Sequence, residues 1–137
     1  QIGPVAALAT LQEMNKIRSW EFITHLGEYL QKSLLSVAKR NNLDITISGI
    51  PALTNFSINH PEWLKIKTFF TQEMLKKGFL ASNVVYLSTA HSKSLVNKFI
   101  NEADLIFYQI SKCLNEQKDI NQLLESDICI SGFKRLN

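Results

Sequence analysis

Little in this sequence points to a metal, a membrane or a polyanion. Cysteine is scarce: the two residues, Cys113 and Cys129, lie in apolar segments and read as buried free thiols rather than a disulfide framework. No histidine or cysteine has a partner at zinc-ligand spacing. No apolar run approaches the ~20 residues that span a bilayer, and no signal-peptide pattern is present. The positive excess is only +3, from 15 basic and 12 acidic residues, too small and too scattered to suggest a nucleic-acid partner. Lys39-Arg40 and Lys76-Lys77 stand where helices are expected to end, where cations suit the helix dipole. A Gly-rich phosphate loop, a Gly-x-Ser-x-Gly elbow, an internal repeat and a low-complexity stretch are all missing. What is there is 45% hydrophobic and 20% charged over 137 residues, enough for one ordinary domain that buries roughly two-thirds of its unfolded surface.

The apolar periods give the order of elements. Val5, Leu8, Leu11 and Met14, set among alanines, predict a first helix, with small residues that allow another element to approach closely. Ser19 is a plausible N-cap for a second helix, striped by Ile23, Leu26, Leu30, Leu34 and Val37 and ended at Asn41-Asn42. Residues 43–48 and 53–59 alternate around Gly49-Ile50-Pro51, the pattern of two antiparallel, half-buried strands. Asn59 or His60 can cap a third helix, which carries Trp63, Ile66, Phe69, Phe70 and Met74 and stops at Gly78. Residues 79–88 read as strand, in one piece or in two split at Ser82-Asn83. From Ser92 a fourth helix runs along Val96, Phe99, Ile100, Ala103, Ile106 or Phe107, Ile110 and Cys113 or Leu114. A polar break at 115–118, a helical turn over 120–124 and an extended apolar tail over Ile128–Phe133 complete the chain. Helices interleaved with partly antiparallel strands define a small α+β fold, an antiparallel or mixed sheet with helices packed on it.

Chemistry is thin. His91 sits between a strand end and a helix start, where ligand contacts often occur; the plainer reading is that its side chain shapes the turn through local backbone hydrogen bonds. His25 and His60 read as a surface group and a cap. Glu102 and Asp104, two apart on a helix, face different ways and are expected to be solvated rather than an acid/base pair. From the residues alone this is a domain with no catalytic constellation.

A resemblance adds what spacing does not. Gly3-Pro4-Val5-Ala6-Ala7-Leu8-Ala9-Thr10-Leu11, then Leu26-Gly27-Glu28-Tyr29-Leu30 and Ile47-Ser48-Gly49-Ile50-Pro51, look like the opening of the C-terminal, small domain of class III pyridoxal-phosphate (PLP) aminotransferases. Phe69-Phe70-Thr71-Gln72-Glu73-Met74-Leu75-Lys76-Lys77-Gly78 and Ser88-Thr89-Ala90-His91-Ser92 resemble the glutamate-1-semialdehyde aminomutase branch, including relatives that act on sugars. Two departures stand out. Val85-Tyr86-Leu87-Ser88 holds no carboxylate-clamping Arg, which suits the aminomutase branch. Lys93 and Leu95 stand where that branch usually has acidic residues.

The resemblance implies a fold-type I small domain and PLP in the full-length enzyme. The Schiff-base lysine, the partner of the pyridine nitrogen and the ring-stacking aromatic would all lie upstream of Gln1. Neither a catalytic, a cofactor-binding nor a metal-binding residue is then expected in this chain. Ser88, Thr89 and His91 become candidates for the small-domain wall of the substrate cleft. The implied partners are a missing large PLP-binding domain, a second subunit in a homodimer, and a small amino, keto or sugar substrate, with no nucleic acid and no membrane, in the cytoplasm. The chain opens on Gln1, not Met, and enters an apolar helix at once, so the expectation is a C-terminal fragment, inactive alone: 1–18 a docking helix, 19–114 the α+β body, 115–137 a tail. The rival is a stand-alone α+β binding or regulatory module. An isolated fragment should leave Val5–Met14 and part of the Trp63–Phe70 face underburied.

Overall fold

Alternation in residues 45–58 builds the sheet. In the computed structural model, which describes residues 2–132, β1 (Ile45–Ser48) pairs antiparallel with β2 (Leu53–Ile58), Ile47 opposite Phe56. β2 in turn pairs antiparallel with β3 (Val84–Tyr86), Thr54 opposite Val85, giving the order β1-β2-β3. Side chains a period of two apart share a face. Thr54, Phe56 and Ile58 are therefore buried together, while Thr46 and Ser48 of β1 are exposed. The expected antiparallel pairing is borne out; of residues 79–88 only Val84–Tyr86 joins the sheet, and Phe79–Ala81 stays unpaired.

Three helices cover the inner face: α2 (Ser19–Arg40), α3 (Trp63–Lys76) and α4 (Lys93–Asn115). The α3 and α4 stripes meet at Phe56, whose ring centroid lies 5.1 Å from Phe70, 5.9 Å from Phe107 and 6.3 Å from Trp63, edge-on in each case. Such pairs add about 0.5–1.5 kcal/mol each beyond area burial. Ile66, Phe69, Phe70 and Met74 are all buried. This corrects the expectation of an underburied Trp63–Phe70 face: Ile66, Phe69 and Phe70 are the centre of the domain's own core, and even Trp63 packs partly buried against it.

The other expected gap is real. α1 (Ile2–Ile17) has no buried residue; Val5, Leu8 and Leu11 are each more than half exposed. Its apolar positions recur every third residue, so each is turned about 60° back from the last at 3.6 residues per turn. They wind round the helix and form no single stripe. A helix apolar on every side is one that another body surrounds.

Several local expectations need refinement. Ser19 does not cap α2: it is buried, and Arg18 holds the N-cap position in the left-handed conformation with no side-chain cap, so α1 and α2 are separated by one residue. α3 also lacks a side-chain cap at Glu62, although the Glu62 N–H donates to His60 Nδ1 at 3.2 Å. Ser92 caps α4 as expected, its Oγ accepting the Leu95 N–H at 3.1 Å. Nor are Glu102 and Asp104 simply solvated. Asp104 pairs with Arg40 and accepts Asn41 Nδ2 at 2.7 Å, tying α4 to the end of α2. Glu102 Oε2 lies 3.6 Å from Lys77 Nζ.

Both thiols are free. Cys113 is buried, and burial pushes its thiol up against the opposing pull of Lys118. After α4 a single 3₁₀ turn, Ile120–Leu123, seats Ile120 in the core, and the chain then runs along α3. Of the expected tail, Phe133 lies outside the described residues, as does Gln1.

Candidate functional site

Two of the motifs quoted above meet in space. Gly27, on the sheet-facing side of α2, is packed on the Gly49–Ala52 turn so closely that a Cβ there would stand 2.0 Å from Pro51 O. Gly49 makes the turn itself, with φ +82°, and a Cβ on it would stand 2.4 Å from Leu53 O. Only glycine meets both demands. The turn is held in turn to the end of β3, where the Leu87 N–H donates to Ala52 O at 3.0 Å. The chain leaving β3 thus emerges beside this turn and runs at once into the start of α4.

That exit is a closed turn over Ser88–His91, in which the His91 N–H donates to Ser88 O at 3.1 Å. The Ser88 N–H donates to His91 Nδ1 at 2.9 Å, and Ser88 Oγ, 3.1 Å from the same nitrogen, accepts the Ala90 N–H at 3.3 Å. Nδ1 is therefore an acceptor, which leaves the ring proton on Nε2. The structure brings Ser88 and His91 into contact and uses both to shape the turn. What they leave over is His91 Nε2–H, which makes no hydrogen bond among the described residues. The exposed Thr89 hydroxyl makes no hydrogen bond among the described residues.

His91 also borders a groove of about 700 Å³ between β3 and α4, with Phe79, Val85, Tyr86, Lys98 and Glu102 on its walls. Tyr86, 71% exposed on its rim, was not singled out by the sequence reading; alternation about the inward Val85 was the signal for it. The two departures from the aminomutase pattern have local uses. Lys93 Nζ lies 4.7 Å over the Tyr29 ring, a cation–π contact joining α4 to α2, and Leu95 extends the groove's apolar wall.

No lysine is among the buried polar residues of residues 2–132. Lys65, Lys76, Lys77 and Lys118 are each paired with a carboxylate. Nor do the described residues gather a cluster of metal-ligating side chains.

The fold matches one found within a PLP-bearing chain: the PLP internal aldimine form of the FumI protein of Sphingopyxis sp. MTA144 superposes with a TM-score of 0.72 over 87% of this chain and 29% of that one, at 19% identity. In sequence the chain is glutamate-1-semialdehyde 2,1-aminomutase-like. It is 27% identical over 125 residues to the Staphylococcus carnosus enzyme named glutamate-1-semialdehyde 2,1-aminomutase 1, covering 80% of this chain and 29% of the relative. To its namesake in Macrococcus caseolyticus it is 31% identical over 100 residues, 63% of this chain and 23% of the relative. No family model matches. The chain spans less than three-tenths of the length of these relatives. The resemblance to glutamate-1-semialdehyde aminomutases is borne out.

Proposed function

We propose that this chain is the C-terminal small domain of a PLP-dependent aminomutase or aminotransferase of class III, with the Ser88–His91 turn on one wall of the substrate cleft. A single observation carries this reading: a chain similar to aminomutases along most of its own length, and to under a third of theirs, bears an apolar helix with no buried residue. α1 is then the docking helix, enclosed by the large domain and the dimer partner. Residues 19–114 are the body and 115–137 the tail.

In the longer protein the cofactor supplies the electron sink for moving an amino group. This chain's share is positioning and exclusion of water. His91 Nε2–H, held in one tautomer by the Ser88 N–H, and the Thr89 hydroxyl are donors for a small amino, keto or sugar substrate. The whole protein is expected to be a cytoplasmic homodimer. Similarity to aminomutases favours this reading over a stand-alone module.

Two measurements on the isolated chain test it. Titrated with PLP, it should form no aldimine absorbance that borohydride traps; a stoichiometric trapped adduct would refute the assignment of the cofactor elsewhere. Leu8→Cys should react with maleimide at the rate of a free thiol in the isolated chain and be protected in the longer protein. Equal reactivity in both would remove the docking role of α1.

A further inference from the structure

The segment after Ile120 is held to α3 in an unusual way. Thr68, Gln72 and Lys76 are four residues apart and share one face of the helix. Gln72 Nε2 donates to Leu123 O at 3.0 Å, and the Glu125 N–H donates to Gln72 Oε1 at 2.7 Å. One side-chain amide thus satisfies the carbonyl before Leu124 and the N–H after it, the two groups an adjacent strand would bond. One turn earlier, Thr68 Oγ1 accepts the Cys129 N–H at 2.9 Å and donates to Leu64 O at 2.8 Å. One turn later, Lys76 Nζ lies 2.7 Å from Glu125 Oε1, a hydrogen bond that raises the lysine's pKa.

Apolar burial contributes little to this hold. Ile130 is 88% exposed, and Ile128 is also exposed; in contrast Ile120, just upstream, is fully buried. The core anchor and the tail are separate. Releasing residues beyond Leu124 breaks the side-chain bonds to main chain and the Lys76 pair, and uncovers little apolar surface.

We propose that Glu125–Cys129 is a releasable strap, and that the Thr68–Gln72–Lys76 face of α3 is a track that reads extended main chain, occupied by the chain's own tail. The features it recognises are a backbone carbonyl and N–H two residues apart, an acidic side chain opposite Lys76, and a further N–H over Thr68. This does not depend on the aminomutase reading.

Hydrogen exchange on the full chain tests it. The Glu125 and Cys129 amides should exchange together, about 100-fold faster than those of Phe70 and Phe107, as expected of a unit that opens on its own. Gln72→Ala should speed both by about 10-fold, Cys129 included although Gln72 does not touch it, without changing the core amides or the thermal midpoint. Exchange of Glu125 at the core rate, or a Gln72→Ala variant that loosens the core equally, would overturn the strap. Glu125→Pro removes the N–H that Gln72 reads. In that variant the Gln72 side-chain amide resonances should shift, and an added synthetic peptide of residues 122–132 should restore them. A folded Glu125→Pro chain that ignores the peptide would overturn the track.

Discussion

Replacing Gly27 by alanine is expected to cost about 3 kcal/mol, the upper part of the range for overpacking. That is a drop of roughly 10 °C or more in the thermal midpoint of a chain this size. The added methyl would stand 2.0 Å from Pro51 O and 2.3 Å from its carbon, both backbone atoms of a turn already fixed by Gly49. Neither side can yield by rotating a side chain: α2 must lift off the turn, and with it Leu26 and Leu30 leave the core. Gly3→Ala supplies the internal control. Nothing lies within 4 Å of a Cβ at Gly3, and alanine is the better helix former by about 1 kcal/mol. The same substitution should therefore be neutral to stabilising in α1 and severe in α2. Equal effects at the two sites in a urea titration would mean that helix propensity, and not the contact with Pro51, governs both.

Phe56→Ala should be comparably severe, at about 3–5 kcal/mol for truncating a fully buried aromatic. Phe56 is 1% exposed and, among the described residues, is the one ring that touches Trp63, Phe70 and Phe107 together. It is also the residue through which β2 packs on α3 and α4, so its loss opens a void between the layers that no neighbour fills without moving a helix. Leu80→Ala, at a side chain 98% exposed, should change stability by less than about 0.5 kcal/mol. A Phe56→Ala chain with an unchanged urea midpoint would show that the sheet and helices do not share one core.

Strong periodicity made most of this architecture legible. The α4 stripe is buried from Val96 to Cys113, with Leu114, the alternative last position, only partly buried, and the alternation of Thr54, Phe56 and Ile58 fixed which face of β2 turns inward. Partnership took more than finding an apolar helical period. The Trp63–Phe70 stripe and the α1 positions look alike as apolar helical patterns, yet one is core and the other bare. The difference is that 63, 66, 70 and 74 stay on one side of a helix, whereas 5, 8, 11 and 14 precess around it. Ser19 failed as a cap because it is buried where α2 follows α1 across a single left-handed residue, Arg18. At the candidate site, the local role of His91 followed from its place between strand and helix. Its tautomer did not, because that depends on the Ser88 N–H three residues away. The contact of Gly27 with Pro51 is a product of helix docking, which no local pattern encodes.

The most direct test of the proposed place of this chain in a larger enzyme is to isolate the natural polypeptide that carries it, reduce it with borohydride and map the pyridoxyl-lysine by mass spectrometry. The expected result is a polypeptide well above 15.6 kDa with its single modified lysine outside residues 1–137. A labelled lysine within this chain, or a natural product of this size that takes up no cofactor, would contradict it.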